Sequence, residues 1–410
     1  MKIPNFLPKI SFSISVIATM FILSACSEYE IKKNPDIPDI PGYTKPAKQT
    51  LFMYMPWSGG GSMYQCLLDN ISAFEKAIEG NHGTDDNALL VFISENKELS
   101  NLIRIYYDNG ECQRDTLKQY YFSACDYTTA EGITSIINDV MEAAPAEKYA
   151  MAIGCHGTGW IPVGTNISTR AAIMNIENKQ IPMTRFFGTG DGSDPTYQTD
   201  IATLAEGIAG TGVKMEYILF DDCYMSNIET AYDLKNATDH LIASTCEVML
   251  AGMPYAEIGI DLLKNNYKNV VDKFYKYYSN YSTPCGTIGV VDCCEVDEMA
   301  YIMQQINTDC PDLPCDVTDI QDLDGYENTI FFDFGDYVSH LYLDQSQIDA
   351  FNFQLNKLVP YKAHTETYYS MYTGKLHPIN TFSGITISDP SVNRSIANVK
   401  TQTNWYKDTH

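Results

Sequence analysis

The sequence predicts an α/β fold with a mostly parallel central sheet and helices on both faces. Residues 149–155 (YAMAIGC) form a continuous apolar run, as expected of a strand that is buried on both faces. Short runs of this kind alternate along the chain with segments of helical periodicity, which is the order that builds parallel sheets. The chain of 410 residues, with 45% hydrophobic residues, is long and apolar enough to bury a substantial core.

The N-terminal residues 1–25 predict a signal peptide of the lipoprotein type. Lys2 and Lys9 accompany an uncharged apolar segment over residues 10–23, which is short for a membrane span. The segment ends in LSAC and resembles a bacterial lipobox, which implies cleavage before Cys26 and a lipid on Cys26. Ser27, in place of Asp, resembles the signal for the outer membrane. An ordinary signal peptide with an incidental cysteine is the alternative.

A tether and one large domain are predicted to follow. Residues 26–50 are rich in Pro, Asp and Lys and predict an extended tether, and residues 51–410 predict the folded domain, poorly patterned from about residue 310. Apolar runs predict strands over residues 51–55, 88–94, 102–107, 149–155, 215–220, 240–244, 286–291 and 384–388. Helical periodicity predicts helices over residues 64–79, 133–143, 201–208, 258–278, 296–306 and 333–341.

Two further local predictions concern a helix start and an acidic segment. Ser226 and Glu229 have the spacing of a capping box and predict a helix that starts there. Residues 316–324 are rich in Asp but do not match the spacing of an EF-hand, so they predict a solvated loop and not a calcium site.

Charge and cysteine spacing exclude several classes of function. The net charge of −25 argues against nucleic-acid binding, which needs Lys and Arg, and favours the approach of basic proteins or peptides. The 12 cysteines include no Cys-x-x-Cys pair and no zinc-finger spacing, so no metal site is predicted. A thiol–disulfide oxidoreductase that uses Cys293 and Cys294 is an alternative, but the pair lacks the Cys-x-x-Cys spacing that is typical of such enzymes.

A histidine and a cysteine each follow a predicted buried strand. His156 comes directly after residues 149–155, and Cys223 follows residues 215–220 together with Asp221 and Asp222. The carboxyl ends of parallel strands meet at one edge of a sheet, where ligands bind in open α/β sheets. The sequence therefore predicts a thiol–imidazole pair. A small buried cysteine and a structural histidine are the alternatives.

These two motifs resemble those of the clostripain family of cysteine peptidases, in the caspase–legumain–gingipain group. The resemblance rests on HGTGW at residues 156–160 and on FDDCYMS at residues 220–226, running into Glu229 and Tyr232. It implies a caspase-like fold and acyl transfer. Cys223 would be the nucleophile and His156 the acid/base partner, and the N–H groups of Gly157 and Cys223 would form the oxyanion site.

The resemblance also implies cleavage of protein or peptide substrates after Arg or Lys. Asp221 falls on the position of the acid that reads this side chain, and Glu247 is a second candidate. A turn carboxylate is the alternative for Asp221.

Relatives are often activated by self-cleavage between the histidine and the cysteine. Here Arg170 is the first candidate, followed by Lys179 and Arg185. The sequence indicates no required cofactor, and only the family resemblance implies that calcium could bind.

Asp222 departs from the family pattern. Many relatives have a small residue directly before the nucleophile. A carboxylate at this position would oppose ionisation of the thiol, or it would simply face solvent. Asp222 and the acidic surface together motivate a second hypothesis, in which the chain is a catalytically inactive clostripain-like lipoprotein that binds partners at the surface.

Overall fold

A nine-stranded sheet forms the centre of the computed structural model, which describes residues 46–58, 61–165, 195–310 and 314–410. In chain order the strands of the described residues are β1 Ala47–Met55, β2 Ala88–Ser94, β3 Leu99–Asp108, β4 Glu111–Tyr121, β5 Ala146–Ile153, β6 Met215–Phe220, β7 Thr238–Ala243, β8 Thr287–Asp292, β9 Phe332–Asp333, β10 Tyr361–His364, β11 Thr367–Ser370, β12 Lys375–Pro378 and β13 Thr386–Ile387.

The central sheet has the order β10-β8-β7-β6-β5-β1-β2-β3-β4. Its five middle strands, from β7 to β2, are parallel, and the strands at both sides pair antiparallel. All seven residues of β2 are buried, which is why the strand is apolar without interruption from Ala88 to Ile93. The predicted α/β fold with a mostly parallel core is therefore confirmed, and antiparallel strands extend it on either side.

Helices cover the sheet on both faces. In chain order they are α1 Gly61–Gly80, α2 Ala130–Ala143, α3 Ile201–Ala209, α4 Ile228–Leu234, α5 Tyr255–Leu263, α6 Tyr267–Ser279, α7 Val296–Asp309, α8 Phe334–Ser339, α9 Gln345–Leu358 and α10 Asn404–Thr409. Leu51 and Met53 of β1 share one core with α1, α5 and α6. Phe52 and Tyr54 alternate with them along the strand, and the Tyr54 ring stacks on Phe92.

Among the described residues, no helix is long and apolar enough to cross a membrane. The predicted signal peptide and its Cys26 lie outside the described residues. Strand β1 begins at Ala47, inside the segment predicted as a tether, because Ala47 N–H already bonds to the carbonyl of Pro145.

The structure differs from the predicted elements at two places where an asparagine has a positive φ. The single helix predicted over residues 258–278 is divided into α5 and α6, and Asn265 between them has a φ of 54°. Strand β4 was not predicted, although Asn109 and Gly110 ahead of it have φ values of 51° and 98°. Asn-Gly is a strong hairpin signal because both residues tolerate positive φ.

The predicted capping box at Ser226 and Glu229 does not form. The N-cap of α4 is Asn227, whose side chain accepts a hydrogen bond from the Thr230 N–H at 2.7 Å. Ser226 Oγ instead donates to the carbonyl of Gly384 at 2.8 Å, and Glu229 accepts from the N–H of Ser388 at 2.7 Å. Both side chains bind the C-terminal part of the chain, which offers partners that the local sequence does not.

The acidic segment at residues 316–324 is only partly a solvated loop. Asp324 is fully buried and accepts hydrogen bonds from the backbone N–H groups of Tyr326, Ile330 and Phe331. Burial raises the pKa of Asp324 to about 7. Asp324 therefore shapes the loop that leads to Phe331, and the prediction of a solvated position was wrong for this residue.

Candidate active site

The strands that precede His156 and Cys223 end side by side. β5 and β6 pair in parallel, with Ile153 opposite Phe220, and the Asp221 N–H donates to the carbonyl of Ile153 at 2.8 Å. The two loops that follow therefore leave the sheet at the same edge. This is the geometry that the buried strand patterns predicted.

The backbones of the two loops touch at Gly157. A Cβ atom built at Gly157 would lie 2.7 Å from the carbonyl oxygen of Cys223 and 3.1 Å from its nitrogen. Such distances leave no room for a side chain, so glycine is required for this approach. The structure brings together Gly157 and Cys223, the two residues whose N–H groups were predicted to form the oxyanion site.

Asp222 accepts a hydrogen bond from the loop that follows β5 and carries His156, here called the histidine loop. The Cys155 N–H donates to Asp222 Oδ1 at 2.7 Å, and Cys155 Sγ lies 3.4 Å from Oδ2. Asp222 is 1% exposed, so the prediction that it could face solvent was wrong. Its carboxylate joins the segment before His156 to the segment before Cys223.

Cys223 lies in an apolar cluster and is 1% exposed. The N–H of Val248 points at its sulfur, with a nitrogen–sulfur distance of 3.2 Å. Its other neighbours in the cluster come from the histidine loop and from the C-terminal part of the chain: Trp160, Ile161, Ile330, Phe331 and Ile396. The sulfur therefore has a backbone donor beside it and is shielded from water in this form of the protein.

The residue after the cysteine is held in a strained backbone conformation. Tyr224 has a φ of 61°, which is rare for a bulky side chain. Its N–H donates to the carbonyl of Cys246 at 3.0 Å, and its ring stacks on Phe331 with a centroid distance of 5.1 Å. Strain of this kind persists where the surroundings impose it, and it is concentrated at functional sites.

The two predicted specificity acids are both buried in the described structure. Asp221 is fully buried, and its Oδ1 accepts a hydrogen bond from the Met253 N–H at 2.8 Å. Glu247 is 4% exposed, and its Oε1 accepts from the Tyr224 hydroxyl and from the Met371 N–H, each at 2.9 Å. Both acids adjoin residues that touch Cys223, but neither reaches solvent.

Ser388 links both motifs to the C-terminal part of the chain. Its N–H donates to Glu229 of α4, and its hydroxyl accepts from Trp160 Nε1 of the histidine loop at 2.8 Å. Burial, with a smaller contribution from the charge of Asp389, raises the pKa of Glu229 to about 8. Sequence reasoning missed Ser388 because no local pattern marks a partner that lies 228 residues away from Trp160.

The thiol pKa is raised at several other cysteines of the described residues. Among the described residues, Cys112, Cys246, Cys285, Cys293 and Cys294 form no disulfide. Burial raises the pKa of Cys112 and Cys285 to about 12 and raises those of Cys246 and Cys293 further. The pKa of Cys294 is also raised, by burial and by Asp292. Thiols that stay protonated are poor nucleophiles, so the Cys293–Cys294 pair does not favour an oxidoreductase.

Arg170, Lys179 and Arg185, the candidate cleavage positions, lie outside the described residues, as does Cys26. Within the ranges that are described, no group of three or more His, Cys, Asp or Glu side chains could hold a metal ion.

Comparisons with known proteins give matches to one protein family and to solved structures. A family model described as "Clostripain family" matches residues 62–366. A secreted cysteine protease from Bacteroides thetaiotaomicron, iotapain, is 49% identical with a TM-score of 0.79, and the match covers 89% of this chain and 100% of that chain. A search of curated proteins gave no match.

Two further solved structures are similar. A clostripain from Bacteroides thetaiotaomicron in complex with the peptide inhibitor BTN-VLTK-AOMK is 55% identical with a TM-score of 0.52, covering 55% of this chain and 99% of that chain. An inactive zymogen protease from Parabacteroides distasonis is 26% identical with a TM-score of 0.73, covering 89% of this chain and 99% of that chain.

Proposed function

Because the chain belongs to the clostripain family of cysteine peptidases, we propose that it is a lipid-anchored endopeptidase that cleaves after Arg or Lys. In this proposal Cys223 is the nucleophile and His156 the acid/base partner. The observation that carries it is the contact between the two loops, where Gly157 leaves no room for a Cβ atom beside the backbone of Cys223. No other described pair of loops combines a cysteine and a histidine of the family motifs.

The arrangement supplies each part of an acyl transfer. His156 takes the thiol proton, and Cys223 Sγ forms a bond to the carbonyl carbon of the scissile peptide. The negative oxygen of the tetrahedral intermediate is stabilised by the N–H groups of Gly157 and Cys223. His156 then protonates the leaving amine, and water attacks the thioester with His156 again acting as base. The carbon–sulfur bond then breaks, which regenerates the Cys223 thiol and releases the acyl part of the substrate as a peptide with a new carboxyl terminus.

The nucleophile is tested with fluorogenic peptides that end in Arg or Lys. We expect Cys223→Ala to abolish hydrolysis, whereas Cys246→Ala, which removes another buried thiol, leaves a measurable rate. Equal activity of wild type and Cys223→Ala would rule out the proposal. Covalent labelling of Cys223 by an arginyl chloromethylketone would in turn exclude the alternative of an inactive surface-binding relative.

Specificity for Arg or Lys is assigned to Asp221, with Glu247 as the second candidate. The peptide of the inhibitor bound to the 55% identical relative ends in Lys. An acidic side chain pairs strongly with such a cation through charge-assisted hydrogen bonds. Because both acids are buried, this role requires that the site opens when the substrate binds or after the chain is cut.

The specificity acid is tested with substitutions that keep the hydrogen-bond acceptor. Asp221→Asn still accepts the Met253 N–H, so we expect the fold to persist while kcat/KM for basic peptides falls about 10- to 100-fold. Glu247→Gln is the matched variant. If only Glu247→Gln loses the preference for basic peptides, Glu247 and not Asp221 is the acid that recognises the Arg or Lys side chain.

Activation by self-cleavage accounts for the buried nucleophile. Cys223 is 1% exposed in the uncut chain, and a 26% identical relative is an inactive zymogen. We place the cut after Arg170, Lys179 or Arg185. Mass spectrometry of wild type and Cys223→Ala tests this, because a fragment that appears in both proteins would show that another protease makes the cut.

The lipid anchor on Cys26 and a location in the bacterial cell envelope, at the outer membrane, remain part of the proposal. The 49% identical relative is described as secreted. Metabolic labelling with a fatty acid analogue is expected to mark wild type and not Cys26→Ser. Calcium is assigned no residue, and unchanged activity in the presence of a chelator is the expected result.

A further inference from the structure

Asp222 contacts the histidine loop on the near side of His156. Its Oδ1 accepts the N–H of Cys155, the residue directly before His156, at 2.7 Å. The carboxylate is 1% exposed, so this hydrogen bond is shielded from water. A hydrogen bond to an ionised acceptor is shorter and roughly twice as strong as one between neutral groups.

Asp222 also meets the loop on the far side of His156. A Cβ atom built at Gly157 would lie 2.7 Å from the Cβ of Asp222. The residues before and after His156 therefore both rest against Asp222. With the backbone held at both sides, the imidazole position is defined up to rotation about its own side-chain bonds.

From these contacts we propose that Asp222 is a positioning residue that holds His156 within reach of Cys223. The proposal rests on the proposed function, in which these two residues form the catalytic pair. Asp222 acts through the hydrogen bond that its carboxylate accepts and does not touch the substrate. A displacement of about 1 Å between reacting groups costs on the order of 100-fold in rate, which sets the size of the expected effect.

Two substitutions separate the hydrogen bond from the charge. Asp222→Asn keeps an acceptor for the Cys155 N–H and removes the charge, whereas Asp222→Ala removes both. We expect kcat of Asp222→Ala to fall about 100-fold with KM changed less than about threefold, because substrate contacts remain. Asp222→Asn is expected to restore most of kcat.

The pH profile gives a second readout that a purely structural role would not change. A negative charge near the pair favours the protonated thiol and the protonated imidazole. Asp222→Asn is therefore expected to shift the acid limb of kcat/KM to lower pH. Asp261→Ala is the matched control, since Asp261 is a carboxylate of 7% exposure that binds Asn269 and Lys273 outside the site.

Hydrogen exchange at the Cys155 amide tests the contact without any substrate. We expect slow exchange in wild type and Asp222→Asn, and fast exchange in Asp222→Ala, with thermal unfolding confirming that all three proteins are folded. An Asp222→Ala enzyme with the kcat of wild type would overturn the proposal. The proposal would also be overturned if Asp222→Asn had the low kcat of Asp222→Ala while its Cys155 amide still exchanged slowly. That result would show that the charge of Asp222, and not its hydrogen bond, supports the reaction.

Failure of the proposed function would look different. Wild type would then hydrolyse no peptide and would not be labelled at Cys223. The positioning role of Asp222 would be rejected together with the proposed function. If wild type cleaves only non-basic peptides, the specificity is wrong, and the three Asp222 proteins are compared on those peptides instead.

Discussion

At the residue scale, the site depends on two backbone positions, Gly157 and Tyr224, whose conformations are set by contacts with neighbouring residues. Gly157 lies against Cys223, and Tyr224 keeps a φ of 61° because a hydrogen bond and a stacked ring hold it there. The strain at Tyr224 fixes the direction in which the chain leaves Cys223. Small changes at these positions are therefore expected to affect activity more than stability.

Gly157→Ala is expected to lower kcat/KM by about 100-fold, since its Cβ would meet the backbone of Cys223 and separate the loops. Peptide hydrolysis and urea unfolding provide the measurement. The control is Gly80→Ala at the end of α1, where a Cβ meets no atom within 4 Å. Full activity of Gly157→Ala would show that the loops need not touch.

The buried Glu229 makes stability depend on pH. Its folded pKa of about 8 lies above the ordinary value of 4.5, so the folded protein binds more protons than the unfolded chain between these values. Its contribution to stability is fully present below about pH 4.5 and is lost as pH rises towards 8. The groups that act on it are Ser388, Asp389 and, beyond them, Lys400.

Glu229→Gln should therefore flatten the fall in unfolding free energy between pH 5 and 8, while it retains an acceptor for the Ser388 N–H. Denaturant unfolding at several pH values checks this. Glu298→Gln, at an exposed position of α7, serves as the control and should keep the wild-type dependence. An unchanged slope in Glu229→Gln would mean that Glu229 is ionised in the fold.

At the element scale, helix α4 follows the loop after β6 that carries Cys223 and connects this loop to the rest of the molecule. Asn227 caps it, and the same side chain donates to the carbonyl of Tyr224 at 2.8 Å. The cap thus fixes the strained residue as well as the helix start. A substitution of Asn227 should therefore lower both the unfolding free energy and the rate of catalysis.

Asn227→Ala is expected to cost about 1 kcal/mol of unfolding free energy and to lower kcat as well. Asp344→Ala removes the capping box of α9 and should cost a similar free energy with activity retained. Urea unfolding and kcat, measured on both variants, separate the two effects. Equal activity of both would show that the cap does not control the Tyr224 conformation.

At the scale of the whole molecule, the C-terminal part is integral to the fold. Trp405 of α10 is fully buried and packs edge-on against Tyr232 of α4 and Phe334 of α8. Phe331 stacks on Tyr224, and Ser388 forms hydrogen bonds with Trp160 of the histidine loop and with Glu229 of α4. The site is therefore completed from a part of the chain that the sequence analysis left poorly defined.

Trp405→Ala is expected to lower the unfolding free energy by about 3–5 kcal/mol, because a large buried ring is lost and a cavity remains. Tyr342→Ala, at a side chain that is 82% exposed, should change it by less than about 0.5 kcal/mol. Thermal and urea unfolding measure both. A Trp405→Ala protein as stable as wild type would show that the C-terminal helix is dispensable.

The sequence by itself determined the parallel core and the sheet edge from which the loops with His156 and Cys223 emerge. Both follow from local pattern, since a strand buried on two faces must be apolar throughout and parallel strands end at the same edge. Strands β2 and β6 were predicted with their observed bounds. The catalytic roles assigned to the pair, and to Asp221 and Glu247, stay predictions.

Only the tertiary structure decided which partners the polar groups take. The sequence did not indicate the partner of Asp222, because its hydrogen bond joins residues 67 positions apart. Ser226 and Glu229 likewise form hydrogen bonds across 158 and 159 positions in place of a capping box. A buried polar group binds whatever donor the packed chain brings to it, and spacing along the sequence does not encode that choice. The burial of Cys223 in one cluster with Ile330, Phe331 and Ile396 was decided in the same way.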